Sequence, residues 1–171
     1  MDDNERSMVD LIASARNDPK ERAGVRSRRL VSNLSNLDIH ILGVGAEAAV
    51  GKHFGVLPSF ASSLFGDSGL DLTINGLTCE VKCRTNPKYD FLLPNPNRDS
   101  FRSDIGILVY SVGPYVYDIH GYIERAKLLE VAVIRNFGYG DCLAVAREHF
   151  IDIRSFTSSR VPPKGRQLVF W

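Results

Sequence analysis

The sequence lacks the features that mark membrane, secreted and disordered proteins. No apolar run approaches the roughly 20 residues that a membrane-spanning helix needs. The first ten residues, MDDNERSMVD, are acidic and polar, whereas a secretory signal is basic and then apolar. Hydrophobic residues make up 44% of the chain and charged residues 24%, which excludes the disordered and fibrous classes. We therefore expect a soluble, cytoplasmic protein with a core of ordinary size.

Cysteine is scarce, with three residues and no CxxC pair. Cys79, Cys83 and Cys142 cannot all pair within one chain, and their neighbours are apolar and β-branched. This pattern is typical of small buried side chains in a reducing compartment, and it argues against a zinc or iron–sulfur site.

An excess of one charge sign is also absent, because the formal net charge is only +1. Composition alone therefore does not indicate a nucleic-acid partner. Basic residues do crowd one stretch, which is either a solvated surface or a surface that contacts phosphates, and the pattern slightly favours the first. This stretch contains Arg16, Lys20, Arg22, Arg26, Arg28 and Arg29.

Hydrophobic periodicity predicts a mixed α/β protein. The helix predicted over 37–54 is rich in Gly and Ala, so its small residues would allow close packing on a sheet. Ser35 or Asn36 can serve as its N-cap. The other predicted elements are a helix over 4–16, a linker or short helix over 17–35, strands over 70–74, 77–83, 105–112, 115–123 and 142–146, an irregular loop over 85–104, a helix over 124–135 and a short apolar strand at the end.

Asn75-Gly76 joins two alternating apolar runs and predicts a tight β-hairpin. Counting back from a two-residue turn places Asp71 directly opposite Glu80, with Cβ atoms about 5 Å apart on one face of the sheet. Lys82 shares that face, while the apolar side chains of both strands share the other.

Facing carboxylates repel, so this pair needs compensation. Lys82 offsets part of the repulsion, and a divalent cation would do so better, because Mg²⁺ prefers clustered carboxylate oxygens with room for waters. The alternative is a polar, solvent-facing side of an amphipathic hairpin. Glu47 favours the metal site, because it lies on the helix stripe expected to face the sheet, where a carboxylate needs polar or charged partners. The alternative for Glu47 is an outward-turned side chain at the edge of the stripe.

Glu47, Gly69-Leu70-Asp71 and Cys79-Glu80-Val81-Lys82 together resemble the PD-(D/E)XK nuclease superfamily, which includes restriction endonucleases and Holliday-junction resolvases. The resemblance covers roughly residues 40–146. It implies a restriction-endonuclease-like αβββαβ core, with a central mixed sheet of four to five strands flanked by helices. The strand at 115–123 would be an additional one. Residues 1–35 would form a helical, basic extension and 36–171 a single compact nuclease domain. Leu70 stands where the motif's name has proline, and neither a Gln-x-x-x-Tyr motif nor a cysteine cluster is present.

The resemblance implies Mg²⁺-dependent hydrolysis of DNA phosphodiester bonds, with Mn²⁺ as a substitute. Asp71 and Glu80 would ligate the metal, with the carbonyl of Val81 as a third ligand. Lys82 would position the attacking water or stabilise charge on the phosphoryl oxygens. Glu47 would hold a second metal or orient a metal-bound water.

The loop after Lys82 is basic and aromatic, which suits phosphate contacts and base stacking, although it is equally compatible with an ordinary solvated loop. Junction resolution, structure-specific nicking and restriction-type cleavage all fit the resemblance, and a homodimer is expected. Two other classes stay open, a non-catalytic nucleic-acid-binding protein with this fold and a metal-dependent hydrolase of a small molecule. The candidate DNA contacts are Arg84, Lys88, Tyr89, Arg98 and Arg102.

Overall fold

The computed structural model describes residues 1–24, 34–59, 70–136, 138 and 140–156 of the 171-residue chain. Helices and strands together form a mixed α/β structure, as the sequence predicts. The elements are helices α1 (Asp3–Arg22), α2 (Asn36–Phe54) and α3 (Arg125–Val131), and strands β1 (Leu72–Ile74), β2 (Leu77–Arg84), β3 (Phe91–Leu93), β4 (Ile105–Gly113), β5 (Val116–Glu124), β6 (Val133–Asn136), β7 (Asp141–Val145) and β8 (Ile151–Asp152).

Helix α2 begins and ends at signals that the sequence carries. The Ser35 hydroxyl accepts a hydrogen bond from the backbone N–H of Asp38, and the Asp38 carboxylate accepts one from the backbone N–H of Ser35, which completes a capping box. The helix ends at Phe54 and is followed by Gly55, whose φ of 67° is a left-handed conformation that glycine adopts without strain. The predicted helix over 37–54 is therefore confirmed.

Strands β1 and β2 form the predicted antiparallel hairpin, with Leu72 opposite Cys79. Asn75 and Gly76 both have positive φ, 51° and 81°, as the two central residues of a type I′ turn require. From Leu72 to Cys79 the register confirms the prediction from loop length, and with it the division of these strands into an apolar and a polar face.

The hairpin lies at one edge of a five-stranded sheet with the order β1-β2-β4-β5-β8. Strand β4 runs parallel to β2, and the other neighbouring strands are antiparallel, so the sheet is mixed, as predicted. Parallel neighbours need a long crossover connection rather than a tight turn. Residues 85–104 provide it.

A second, three-stranded antiparallel sheet has the order β3-β7-β6. The strand predicted over 142–146 is present as β7, but it lies in this second sheet. The central sheet instead contains β5, which corresponds to the strand expected over 115–123 as an addition to the αβββαβ core. A Cβ atom on Gly106 of β4 would lie 3.0 Å from the Phe91 ring, so the glycine permits the second sheet to pack closely on the first.

Three predicted segments need correction. The helix expected over 124–135 ends at Val131, and β6 follows, because the β-branched pair Val133 and Ile134 favours a strand that β7 can pair with. The loop expected over 85–104 contains β3, whose three apolar residues are buried. Helix α1 continues through the start of the predicted linker to Arg22. Residues 25–33 and the predicted C-terminal strand lie outside the described residues.

Apolar clusters cover both faces of the central sheet. On one face, α2 packs against the apolar side of the hairpin and β4. On the other, the second sheet and α3 pack against β4 and β5. Helix α1 lies on the outside of α2 and contacts it through Val9, Ala13 and Val44. No helix in the described part of the chain is long and apolar enough to cross a membrane.

Candidate functional site

Asp71 stands immediately before β1 and extends the hairpin by one residue. Its backbone N–H donates at 2.9 Å to the carbonyl of Cys79, the residue that also faces Leu72, so the paired residues of the hairpin begin at Leu72 and the predicted pairing of Asp71 with Glu80 stays a prediction. Its Oδ2 accepts a hydrogen bond from the backbone N–H of Val81 at 2.7 Å. Asp71 and Glu80 are 3% and 7% exposed, so neither belongs to a solvent-facing polar surface. The alternative of a solvated hairpin face is wrong for these two residues.

The backbone of Val81 is oriented toward Asp71. The N–H and C=O of one strand residue point to the same side of the strand, so the Val81 carbonyl lies on the edge of β2 that faces the Asp71 carboxylate. Two carboxylates and a main-chain carbonyl form an oxygen donor set of the kind that Mg²⁺ binds while keeping several waters.

Lys82 contacts Glu80 directly. The two residues alternate with Val81 along β2 and share one face, and the Lys82 Nζ lies 2.6 Å from the Glu80 Oε1. The side chains are 25% and 9% exposed, so the ammonium group reaches solvent more readily than the carboxylate. An ammonium group at this position can balance negative charge on Glu80 or on an incoming anion.

Glu47 points into the protein, as predicted, and its outward-turned alternative is wrong. Its two carboxylate oxygens accept hydrogen bonds from the Arg16 Nη1 and Nη2 at 2.8 and 2.9 Å. The Glu47 side chain is 7% exposed and the Arg16 side chain 11%, so this is a buried, bidentate ion pair.

The Arg16 side chain also connects Glu47 to the start of the hairpin. Its Nη2 donates to the Ser59 carbonyl at 3.2 Å, and the Ser59 backbone N–H donates to the Asp71 carbonyl at 2.7 Å. A continuous set of contacts therefore runs from α2 through α1 to the residue that begins the site.

Sequence reasoning missed Arg16 as a partner of Glu47 and placed it in a basic surface stretch. A signal for its inward position does exist, because Arg16 follows the buried residues Val9 and Ala13 at helical spacing. Lys20 and Arg22 lie in the last turns of α1. Arg26, Arg28 and Arg29 lie outside the described residues.

The three predicted carboxylates do not form one cluster. Within the described residues, no group of three His, Cys, Asp or Glu side chains is arranged to hold a metal ion. The Asp71 carboxylate is hydrogen-bonded to the N–H of Val81, the residue next to Glu80, whereas Glu47 is held by Arg16. Two carboxylates are nevertheless enough for a Mg²⁺ site that is completed by water and substrate oxygens.

The candidate DNA contacts fall into two groups. Arg84 donates from Nε to the Asp90 carbonyl at 2.8 Å, and burial lowers the pKa of its guanidinium. Arg98 donates to the Ala132 carbonyl at 2.8 Å. These two arginines stabilise the fold through hydrogen bonds to the backbone, although only Arg84 is partly buried. The other four predicted contacts are exposed: Lys88, Tyr89, Arg98 and Arg102.

The three cysteines are free and occupy the small-side-chain positions that the sequence predicts. Burial raises the pKa of Cys79 and of Cys83 to about 12, and also raises the pKa of Cys142. All three side chains are therefore protonated thiols at neutral pH.

A cleft of about 500 Å³ opens at the turn end of the hairpin, lined by Asn75, Asp104, Tyr122 and Arg125 among others. Asp71, Glu80 and Lys82 do not line it. The cleft therefore gives no support to an enclosed small-molecule pocket at the carboxylate pair.

Comparison with known proteins adds no further constraint. The chain matches no protein-family model, no curated protein and no solved structure.

Proposed function

We propose that this chain is a metal-dependent nuclease that hydrolyses DNA phosphodiester bonds, with a restriction-endonuclease-like active site. The observation that supports it best is that Asp71 and Glu80 are both buried, with Asp71 hydrogen-bonded to the N–H of Val81 next to Glu80 and the Lys82 ammonium 2.6 Å from Glu80. This is the arrangement that the PD-(D/E)XK resemblance implies for an acidic residue at the start of a hairpin and a Glu-x-Lys on its second strand.

Asp71, Glu80 and the carbonyl of Val81 would hold a Mg²⁺ or Mn²⁺ ion. The ion supplies a Lewis acid for the scissile phosphate and lowers the pKa of an attacking water. The hydrogen bond from the Val81 N–H fixes the rotamer of Asp71, so this carboxylate is oriented before any ligand arrives. Fixing a ligand in advance reduces the reorganisation that binding would otherwise require.

Lys82 is the residue we assign to the phosphate. Its side chain is the more exposed member of the pair with Glu80, so its ammonium group would be the one that meets a phosphoryl oxygen of the substrate. There it would stabilise negative charge that develops during hydrolysis.

DNA is the proposed substrate because exposed basic and aromatic residues follow β2. Lys88 and Arg102 are exposed and can contact backbone phosphates, and Tyr89 is 49% exposed and can stack on a base. We also propose a homodimer, because its two sites would act on both strands of a duplex.

The decisive experiment is cleavage of a substrate panel. Supercoiled plasmid, linear duplex, single strands and a four-way junction are incubated with the full chain, with Mg²⁺, Mn²⁺ or a chelator. We expect at least one substrate to be cut with either ion and none with the chelator. Asp71→Asn should abolish cutting, whereas Asp118→Asn, a matched change at an exposed position of β5, should not.

Three results would refute the proposal. They are no cleavage of any substrate with either ion, cleavage that continues in the chelator, and Asp71→Asn cutting at the wild-type rate. Ion-independent binding of DNA without cleavage would support the non-catalytic alternative instead.

A further inference from the structure

The ion pair between Arg16 and Glu47 lies where the second metal-binding carboxylate was expected. Both Glu47 oxygens are taken up by the guanidinium, at 2.8 and 2.9 Å, and the same guanidinium reaches the Ser59 carbonyl at 3.2 Å. The side chains are 11% and 7% exposed. This contact therefore differs from a surface salt bridge, which water would compete with.

A metal ion would have difficulty replacing Arg16 as the partner of Glu47. Mg²⁺ gives up its bound waters reluctantly, and a buried position offers few oxygen ligands to replace them. Displacing the guanidinium would also leave its positive charge buried without its carboxylate, which is strongly unfavourable. The planar fork of Arg16 matches the carboxylate in a way that a hydrated ion does not.

We infer that Arg16 is a positioning residue of the proposed metal centre, and that by holding Glu47 it restricts the centre to one divalent ion per chain, bound at Asp71 and Glu80. This inference rests on the proposed function, because it concerns the number of ions at that site. It also makes α1 part of the centre, since α1 supplies the side chain that holds Glu47.

Arg16 has a second effect through Ser59. The Ser59 carbonyl accepts from Arg16, and the Ser59 N–H donates to the Asp71 carbonyl at 2.7 Å, so Arg16 helps to fix the backbone of a ligand residue. Contacts one step removed from a metal commonly change its affinity by about 10–100-fold when they are removed. Removing Arg16 should therefore weaken the ion at Asp71 as well as release Glu47.

The test counts Mn²⁺ ions bound by the full chain, by calorimetric titration and by loss of the free-ion signal in electron paramagnetic resonance. Wild type should bind one ion, and Glu47→Gln should still bind one. Arg16→Met should bind a second, weaker ion at the released Glu47, and its first ion should bind about tenfold more weakly. Arg16→Met/Glu47→Gln should return to one ion. Arg22→Met, at an exposed position of the same helix, should match wild type.

If Arg16→Met does not fold, Arg16→Lys replaces it, because one ammonium group keeps the charge but does not hold both oxygens. A second bound ion in Arg16→Lys would support the inference in the same way. Two ions in wild type, or a single ion at wild-type affinity in the Arg16 variant that folds, would overturn the inference and leave the proposed function intact. If the wild-type protein binds no Mn²⁺, the proposed function and this inference are both wrong.

Discussion

Lys82 lies at a position where a structural contact and a catalytic contact compete for one ammonium group. In the structure this group contacts Glu80, whose side chain is 9% exposed. The proposed reaction needs the same group at the phosphate. We expect Lys82→Ala to lower the single-turnover cleavage rate by at least about 100-fold, because a charge-stabilising contact in the transition state is lost. DNA and Mg²⁺ affinity should change little, since an ammonium group does not coordinate a metal.

The control for this prediction is Lys127→Ala, which removes an exposed lysine of α3 and should leave the rate unchanged. Both rates should be measured where circular dichroism shows folded protein, because removing Lys82 leaves Glu80 without this partner. Lys82→Arg should also fail, since a planar guanidinium does not reproduce a compact point charge. A Lys82→Ala protein that cuts at near the wild-type rate would end the catalytic assignment.

At the scale of single residues, local position could be predicted and distant partners could not. Alternation from one turn was enough to place Glu80 and Lys82 on one face of β2, where their side chains contact each other. The partner of Glu47, in contrast, is Arg16 on another helix. Periodicity indicates which way a side chain points, but it does not indicate what the side chain meets there.

Two of the three glycines in helix α2 face different surroundings, which gives a test of how the helix packs on the sheet. A Cβ atom at Gly45 would lie 1.9 Å from the hydroxyl oxygen of Tyr117 on β5, whereas a Cβ atom at Gly43 would meet nothing within 4 Å. Alanine is intrinsically better than glycine in a helix by about 1 kcal/mol. Gly43→Ala should therefore stabilise the protein by up to about 1 kcal/mol, and Gly45→Ala should destabilise it by about 1–3 kcal/mol through overpacking.

Each glycine variant serves as the control for the other, because the substitution and the helix are the same. Urea unfolding followed by circular dichroism gives the two free energies of unfolding. Equal shifts of the same sign would mean that α2 does not approach β5 as closely as described.

The sequence predicted best the elements whose boundaries are set by residues next to them in the chain. The hairpin depends on Asn75-Gly76, and α2 depends on its cap at Ser35 and its end at Gly55. The division between α3 and β6 depends instead on pairing with β7, which only the folded chain supplies. The apolar spacing over 124–135 fits a helix and, in its second half, a strand equally well.

Across the whole molecule, strand order was the part that the sequence left undetermined. Strand β4 lies parallel to β2 because residues 85–104 cross over, and β7 lies in the second sheet rather than beside β4. Gly106 of β4 has no side chain, and this makes room for Phe91 of the second sheet. In the sequence this position is simply a glycine, and nothing indicates which side chain packs against it.

The stability of the whole molecule should depend on the proposed ion, because a ligand that binds only the native state raises the free energy of unfolding. At 100 times its Kd, Mg²⁺ should add about 2.7 kcal/mol, which corresponds to a Tm increase of about 5–10 °C for a chain of this size. Asp71→Asn should remove this increase but keep the fold, since the asparagine carbonyl can still accept the hydrogen bond that Val81 donates to Asp71. Scanning calorimetry with Mg²⁺ or a chelator measures both effects, and Asp118→Asn should behave as wild type. An equal Mg²⁺ shift in wild type and Asp71→Asn would place the ion elsewhere in the molecule.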